Sequence, residues 1–292
     1  MPSARYPQID ESFWRQLLAL CDEAGTCICE HYHEPALAGK LRAKDDDSPL
    51  TRADLAAHRI LADGLARIAP ELPLLSEESD AAAIADRRNW PAFWMVDPLD
   101  GTKEFLDRTG EFTINIALIV EDRPLAGLIY QPLNRCAYAG AVGAGAHCYE
   151  RQGPAWSQRE LATATLGASQ LVLLASRRHR NPRLQSTLDF LGSRYSLERR
   201  DSGSALKFCE LAAGRGDCYP RFSPCSEWDV AAGDALVTAA GGAVLGLDGE
   251  VLRYNSRDTL LSPPFLAIGD PQAGVWRELL GTLDSAADAQ LS

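Results

Sequence analysis

The sequence lacks the closely spaced cysteine pairs of zinc-finger proteins and the long apolar runs of membrane-spanning proteins. Its eight cysteines include no CxxC pair, and Cys27 and Cys29 are separated by one residue, too close for a zinc-finger ligand spacing. No segment approaches the length of a membrane span, and Asp22 and Glu23 break the first apolar run, so we expect no secretory signal. We therefore expect reduced, mostly buried thiols in a cytoplasmic protein, with peripheral attachment at the inner face of the membrane left open.

Basic residues are also scarce relative to acidic ones. The chain has 29 Lys and Arg against 40 Asp and Glu, for a formal net charge of -11. A protein that binds nucleic acid normally carries a basic face, so this balance argues against a polynucleotide partner. A small anionic substrate is compatible with it if local cations overcome the general field, and bound divalent metal ions would do that.

The organisation of the chain changes about halfway. No internal repeat or long linker is visible, so 292 residues fit one large domain or two joined subdomains. Apolar spacing predicts a helix over 12–33, β-rich runs predict a meander over 113–150, and strands and helices alternate afterwards. The predicted parts are an N-terminal α+β subdomain at 1–165, a C-terminal α/β subdomain at 166–283 and a frayed tail at 284–292.

The most informative stretch covers residues 93–105, FWMVDPLDGTKEF. Four apolar residues predict a short buried strand, which Pro98 should end because it has no backbone N–H and fixes its own φ. Asp97 and Asp100 follow, Gly101 gives conformational freedom, and Thr102 stands where a helix could begin. Two carboxylates beside a helix N-terminus could hold hard cations on one side and a phosphate on the other.

Further acidic residues occur in similar settings. Glu77 and Glu78 come one residue after an apolar run at 72–75, and Asp229 lies in the first turn of a helix predicted to begin at Glu227. Each is weak evidence alone, because acidic residues also favour helix N-termini. Thr51 and Asp54 likewise have the spacing of a capping box with Asp in place of Glu.

Taken together, this ordered set resembles the inositol monophosphatase superfamily, which comprises magnesium-dependent, lithium-sensitive phosphatases. The family signature runs Glu-Glu, then Asp-Pro-Ile/Leu-Asp-Gly/Ser-Thr, then Trp-Asp, and the chain contains every element in that order. The resemblance implies an α/β (α+β) fold, a layered αβαβα sandwich of the sugar-phosphatase type, with the site between two subdomains.

The resemblance also implies roles for individual residues and two or three Mg²⁺ ions. Glu77, Asp97 and the Leu99 carbonyl would bind the first ion, and Asp97, Asp100 and Asp229 the second. Asp54 and Thr102 would orient and deprotonate the attacking water, and the N–H groups of Gly101 and Thr102 would hold the scissile phosphate. No phosphoenzyme is then expected.

A narrower resemblance is to the bacterial 3′(2′),5′-bisphosphate nucleotidases, which act on adenosine 3′,5′-bisphosphate in sulfur metabolism. It is carried by segments 47–54, 97–105, 110–113, 176–179, 203–209 and 219–222. It implies that a nucleotide bisphosphate is the partner and that its second phosphate and base are bound by His179, Ser204, Lys207 and Arg221. A homodimer is compatible with it.

Alternatives remain at this point. His179 could be a surface turn residue, and Lys207 and Arg221 could form ordinary surface salt bridges. Ser223-Pro224-Cys225 also stands where similar enzymes often carry Gly-Pro-Thr. The alternative functions are an inositol monophosphatase or broad sugar-phosphate phosphatase, and a non-enzymatic regulator that binds nucleotides.

Overall fold

A seven-stranded sheet carries the first half of the described chain. The structure, a computed structural model, describes residues 6–34, 49–177 and 181–288. In sequence order, which is also spatial order, the strands are β1 (Leu74–Ser76), β2 (Ala92–Asp100), β3 (Thr113–Val120), β4 (Arg123–Gln131), β5 (Cys136–Ala141), β6 (Gly145–Gln152) and β7 (Ala155–Leu161). β1 and β2 are parallel and the later pairs are antiparallel, so the predicted meander is confirmed.

A second, five-stranded sheet follows. Its strands are β8 (Gln170–Ala175), β9 (Ser196–Asp201), β10 (Cys218–Arg221), β11 (Ala243–Gly246) and β12 (Phe265–Ile268), in the spatial order β11-β12-β10-β8-β9. β8 is parallel to β9 and β10, whereas β12 is antiparallel to β10 and β11. The two sheets lie on either side of the predicted boundary at 165, and the division into two subdomains stays a prediction.

Helices cover both sheets and fill the space between them. The α-helices of the described chain are α1 (Glu11–His33), α2 (Pro49–Ile68), α3 (Ala81–Asp86), α4 (Thr102–Leu106), α5 (Pro182–Gly192), α6 (Leu206–Ala212), α7 (Ala231–Ala239) and α8 (Val275–Asp288). Short 3₁₀ helices occur at Arg87–Asn89 and Glu227–Asp229. The predicted helix over 12–33 corresponds to α1.

Three buried clusters define the order of the layers. Apolar residues of α1 and α2 share a core with one face of the first sheet, as Leu17, Leu61 and Trp94 illustrate. Residues of α6 and α7 lie between the sheets, and those of α5 and α8 cover the outer face of the second sheet. The layers therefore run αβαβα, which confirms the predicted sandwich.

Four elements of the described chain were not predicted from the sequence. The amphipathic helix α8 and the strands β7, β9 and β12 were not among the predicted elements. α8 reaches Asp288, so helical backbone covers part of the segment predicted to be a frayed tail. Within the described ranges, no helix is long and apolar enough to cross a membrane.

Gly127 lets the backbone of α7 approach the first sheet directly. A Cβ atom at this position would lie 2.2 Å from the Ala232 carbonyl oxygen, a contact that only a backbone shift could relieve. We expect Gly127→Ala to lower the free energy of unfolding by about 2 kcal/mol or more, measured by urea denaturation. Gly167→Ala is the control, because its added methyl group would have its nearest neighbour at 3.8 Å. Equal stability of the two variants would contradict this account of the packing.

Candidate active site

A β-bulge places two of the predicted metal ligands on one side of the sheet. β2 does not end at Pro98, as predicted, but continues to Asp100. Asp97 is paired with Asn115 and Asp100 with Thr113, so three steps on β2 match two on β3. Residues three apart on a regular strand point to opposite faces, and the extra residue of the bulge brings both carboxylates to the same side. Asp97 Oδ1 also accepts the Leu99 N–H at 3.0 Å.

Asp229 reaches the same place from the second half of the chain. It ends the 3₁₀ helix Glu227–Asp229, and its Oδ2 accepts the Ser226 N–H at 3.0 Å. The predicted helix from Glu227 thus begins as this 3₁₀ turn, with α7 starting at Ala231. Carboxylate oxygens of Asp97, Asp100 and Asp229 all lie within 4.8 Å of one another.

The five predicted carboxylates act on one another electrostatically. Burial raises the pKa of Asp97 well above its usual value, and the charges of Asp100, Asp229, Glu77 and Asp54 raise it further. Burial, followed by the charge of Asp100, raises the pKa of Asp229 to about 7. Such a cluster is unfavourable while it is ionised and would be stabilised by a cation.

Glu77 and Asp54 approach the cluster from neighbouring elements. Glu77 directly follows β1, which runs parallel to β2, and its N–H donates to the Val96 carbonyl at 3.2 Å. Asp54 lies within α2, which begins at Pro49. Thr51 therefore stands inside this helix, and the alternative in which Thr51 is the N-cap of a capping box is wrong.

The turn after β2 has the left-handed backbone conformation that favours glycine. Gly101 adopts φ 93° as the N-cap of α4, and Thr102 is the first residue of that helix. A Cβ atom at Gly101 would lie 3.0 Å from the Glu111 carbonyl oxygen and 3.2 Å from Ser204 Cβ. Both the positive φ and this close approach therefore favour glycine.

Ser204 connects the second half of the chain to Asp100. Its hydroxyl donates to Asp100 Oδ2 at 2.7 Å and lies 2.5 Å from the Thr113 hydroxyl, while its φ of 48° is unusual for a non-glycine residue. Asn115 Nδ2 lies 3.4 Å from the same Asp100 oxygen. Sequence reasoning missed Thr113 and Asn115, although polar residues at alternate positions of an otherwise apolar strand were a possible signal.

Some of these groups line a cavity whose walls come from both halves of the chain. Its lining includes six of the predicted site residues: Asp100, Gly101, Ser204, Lys207, Arg221 and Asp229. His179 lies outside the described residues, so its predicted role has no structural counterpart here.

Comparison with known proteins identifies the family of the chain. A sequence model of the inositol monophosphatase family matches residues 10–280. The chain belongs to the inositol monophosphatase family.

The chain is similar over most of its length to several family members that share one name. The chain is 39% identical over 253 residues to the 3′(2′),5′-bisphosphate nucleotidase CysQ of Salmonella typhimurium, covering 86% of this chain and 97% of that protein. Identity to the protein of the same name from Escherichia coli K12 is 38% over 253 residues, with the same coverage. Among solved structures, CysQ from Bacteroides thetaiotaomicron has a TM-score of 0.78 and 35% identity, covering 89% of this chain and 98% of that one.

The fold is shared more widely. An inositol monophosphatase from Zymomonas mobilis has a TM-score of 0.74 at 21% identity, covering 95% of this chain and all of that one. At this identity the likeness concerns the fold alone. Family membership and the similarity to named nucleotidases together make the chain a phosphatase.

The carboxylates of this family member fit a hard divalent cation. Mg²⁺ prefers oxygen ligands and is usually held by a few carboxylates, with coordination positions left for water and substrate phosphate. Asp97, Asp100 and Asp229 supply such oxygens close together, and Asp97 is only 1% exposed.

The lining of the cavity also includes two cationic side chains that donate hydrogen bonds to main-chain carbonyl oxygens. Lys207 is 2% exposed, and its Nζ donates to the carbonyl oxygens of Ser202 at 3.0 Å and Ser204 at 2.6 Å. Burial lowers the pKa of Lys207 to about 8. Arg221 Nε donates to the Ser223 carbonyl at 3.1 Å. The surface salt-bridge alternative is therefore wrong for Lys207.

Proposed function

We propose that this phosphatase is a magnesium-dependent 3′(2′),5′-bisphosphate nucleotidase that converts adenosine 3′,5′-bisphosphate to AMP and phosphate in sulfur metabolism. The observation that carries the proposal is the composition of the cavity, whose lining includes both the carboxylates of Asp100 and Asp229 and the cations Lys207 and Arg221. A substrate with two phosphates has a use both for the metal-binding carboxylates and for additional cations, whereas a monophosphate needs only the first group. The names of the relatives at 38% and 39% identity support the same substrate class.

The metal would be held by the acidic cluster. Glu77, Asp97 and the Leu99 carbonyl are the proposed ligands of one ion, and Asp97, Asp100 and Asp229 those of another, with two or three ions in all. When bound, Mg²⁺ would neutralise these carboxylates, polarise the phosphoryl group and make water more acidic.

The chain's own groups would orient the reactants. We assign Thr102 to positioning the attacking water through its hydroxyl and Asp54 to accepting the proton. The N–H groups of Gly101 and Thr102 would contact the scissile phosphate, and Ser204 would keep Asp100 in place through their 2.7 Å hydrogen bond. His179, Ser204, Lys207 and Arg221 are the proposed contacts of the second phosphate and the base.

A substrate panel tests the assignment directly. Purified protein with Mg²⁺ would be offered adenosine 3′,5′-bisphosphate, inositol 1-phosphate and fructose 1,6-bisphosphate, and kcat/KM would be compared. The proposal requires the highest value for the nucleotide. Faster hydrolysis of inositol 1-phosphate would instead identify the second candidate, an inositol monophosphatase with the same carboxylates.

Lys207→Met should weaken binding of the second phosphate specifically. We expect KM for adenosine 3′,5′-bisphosphate to rise at least about tenfold, because a hydrogen bond to a charged group contributes about 1.5–3 kcal/mol. Since the pKa of Lys207 is about 8, wild-type KM should also rise above pH 8 as the ammonium loses its proton, and this rise should be absent in the variant.

The control for this variant is 3′-AMP, which has the scissile phosphate but lacks the 5′-phosphate. Lys207 also holds the Ser202 and Ser204 carbonyls, so a general disturbance of the loop would affect both substrates. An equal loss on 3′-AMP would refute a direct role of Lys207 at the second phosphate.

A further inference from the structure

A buried arginine from the first half of the chain holds a loop of the second half. Arg87 is 3% exposed and follows α3 in the 3₁₀ helix Arg87–Asn89. Its Nη2 donates to the carbonyl oxygens of Arg257 at 2.9 Å and Asp258 at 2.8 Å, and its Nη1 donates to Asn255 Oδ1 at 2.5 Å. Burying a guanidinium is costly, and these hydrogen bonds offset part of that cost.

Asn255 returns a hydrogen bond to Arg87 and passes the connection onward. Its Nδ2 donates to the Arg87 carbonyl at 2.8 Å, so the two residues are joined in both directions. Its backbone has φ 53°, and in this conformation its N–H donates to Glu227 Oε2 at 2.7 Å. The side chain of Asn255 therefore faces the first half of the chain, while its main chain holds the second.

Glu227 is the third member of this buried chain of hydrogen bonds. It is 1% exposed, and its other oxygen, Oε1, accepts from Arg257 Nη2 at 3.3 Å. Its N–H donates to the Leu260 carbonyl at 2.8 Å. Glu227 opens the same 3₁₀ turn that ends at Asp229. The hydrogen bonds of its backbone N–H and of its carboxylate therefore fix the turn that carries Asp229.

Asp229 needs such an anchor for an electrostatic reason. Its carboxylate is held within 4.8 Å of the oxygens of Asp97 and Asp100, and like charges at this distance repel one another. A turn that was free to move would carry Asp229 away from the other two carboxylates whenever no cation was present. A fixed turn keeps the ligand in place before the cation arrives, which lowers the cost of binding.

We infer that Arg87 and Asn255 are positioning residues that act through Glu227 to fix Asp229 and thereby set the affinity of the site for its divalent cation. The inference rests on the proposed function, in which Asp229 is a metal ligand. Neither residue is among those lining the cavity, so the predicted effect is on metal binding and not on contact with the substrate.

Asn255→Gly is the sharpest test. Glycine tolerates φ 53° and keeps the N–H that reaches Glu227, so the substitution removes mainly the side-chain link to Arg87. Arg87→Met breaks the same link from the other side. Tyr254→Phe is the matched control, because Tyr254 is the neighbouring residue, is 1% exposed, and loses a buried hydrogen bond to the Asp234 carboxylate, whose other side-chain partner is Thr238 and not Glu227.

The measurement is Mn²⁺ binding without substrate, by electron paramagnetic resonance, together with the melting temperature of each metal-free protein. We expect Asn255→Gly and Arg87→Met to weaken one Mn²⁺ site at least tenfold, while Tyr254→Phe binds Mn²⁺ like wild type even if it melts earlier. With saturating metal, KM for adenosine 3′,5′-bisphosphate should stay within twofold of wild type in all three variants.

Two results would overturn the inference while leaving the proposed function intact. One is a lowered melting temperature with unchanged Mn²⁺ affinity in Asn255→Gly and Arg87→Met, which would make the link merely structural. The other is an equal loss of affinity in Tyr254→Phe. Wild-type protein that binds no Mn²⁺ would instead refute the metal site of the proposed function, and the inference with it.

Discussion

Asp97→Asn will reduce magnesium-dependent turnover more than a hundredfold and will at the same time raise the melting temperature of the metal-free protein. Asp97 is 1% exposed, and burial and four neighbouring carboxylates raise its pKa well above the usual value. Its charge is therefore unfavourable in the metal-free fold. The amide removes that charge, yet it can still accept the Leu99 N–H.

The opposite effect on turnover follows from the proposed sharing of Asp97 between two metal ions. A hundredfold loss corresponds to about 2.7 kcal/mol in the activation barrier. Turnover would be measured with adenosine 3′,5′-bisphosphate, and melting by calorimetry in EDTA. Asp63→Asn, on the exposed side of α2, is the control and should change neither quantity. Retention of more than about a tenth of the rate would argue against the assigned role of Asp97.

The second large effect is the pH dependence of stabilisation by Mg²⁺. In the metal-free fold the pKa of Asp229 is about 7, against 3.8 for the ordinary carboxyl, so between these pH values the folded state binds more protons than the unfolded state. The free energy of unfolding contributed by Asp229 therefore falls as the pH rises through this range. Mg²⁺ competes with those protons and removes the penalty of the ionised cluster.

We therefore expect 10 mM Mg²⁺ to raise the melting temperature by about 5 °C or more at pH 8 and by less than half as much at pH 5. A ligand at a hundred times its dissociation constant stabilises by about 2.7 kcal/mol, and each kcal/mol is about 2–4 °C for a protein of roughly this size. Differential scanning calorimetry would measure both values, and Asp229→Asn should flatten the difference between them. A shift independent of pH in wild type would contradict the electrostatic account.

The acidic site could be predicted because its residues stand in local patterns. Glu77 follows β1, Asp97 and Asp100 lie at the carboxyl end of β2, and Asp229 lies in the turn before α7, so each stands beside an apolar run or a helix start that the sequence shows. The layered fold could be predicted only through a family resemblance, because apolar periodicity identifies helices and strands but not which sheet each strand joins.

The groups that hold the site in place could not be predicted in this way. The bulge in β2 depends on pairing with β3, and the alternation of residues on β2 alone suggests opposite faces for Asp97 and Asp100. Arg87 and Asn255 are 168 residues apart, and no local signal joins them. Burial of Lys207 likewise depends on how α6 packs between the sheets.

The contact between α7 and the first sheet limits which substitutions this part of the protein can accept during evolution. Gly127 and Gly140 are paired on β4 and β5, and they meet Ala232 and Ala239 of α7. The distance between these two layers is therefore set by main-chain atoms and methyl groups and does not depend on interlocking large side chains. Elsewhere in the core, volumes can change by a methylene group and be compensated locally. The contact of α7, which follows Asp229, with the sheet does not change with such substitutions. The spacing of the carboxylates can therefore persist while much of the core is replaced.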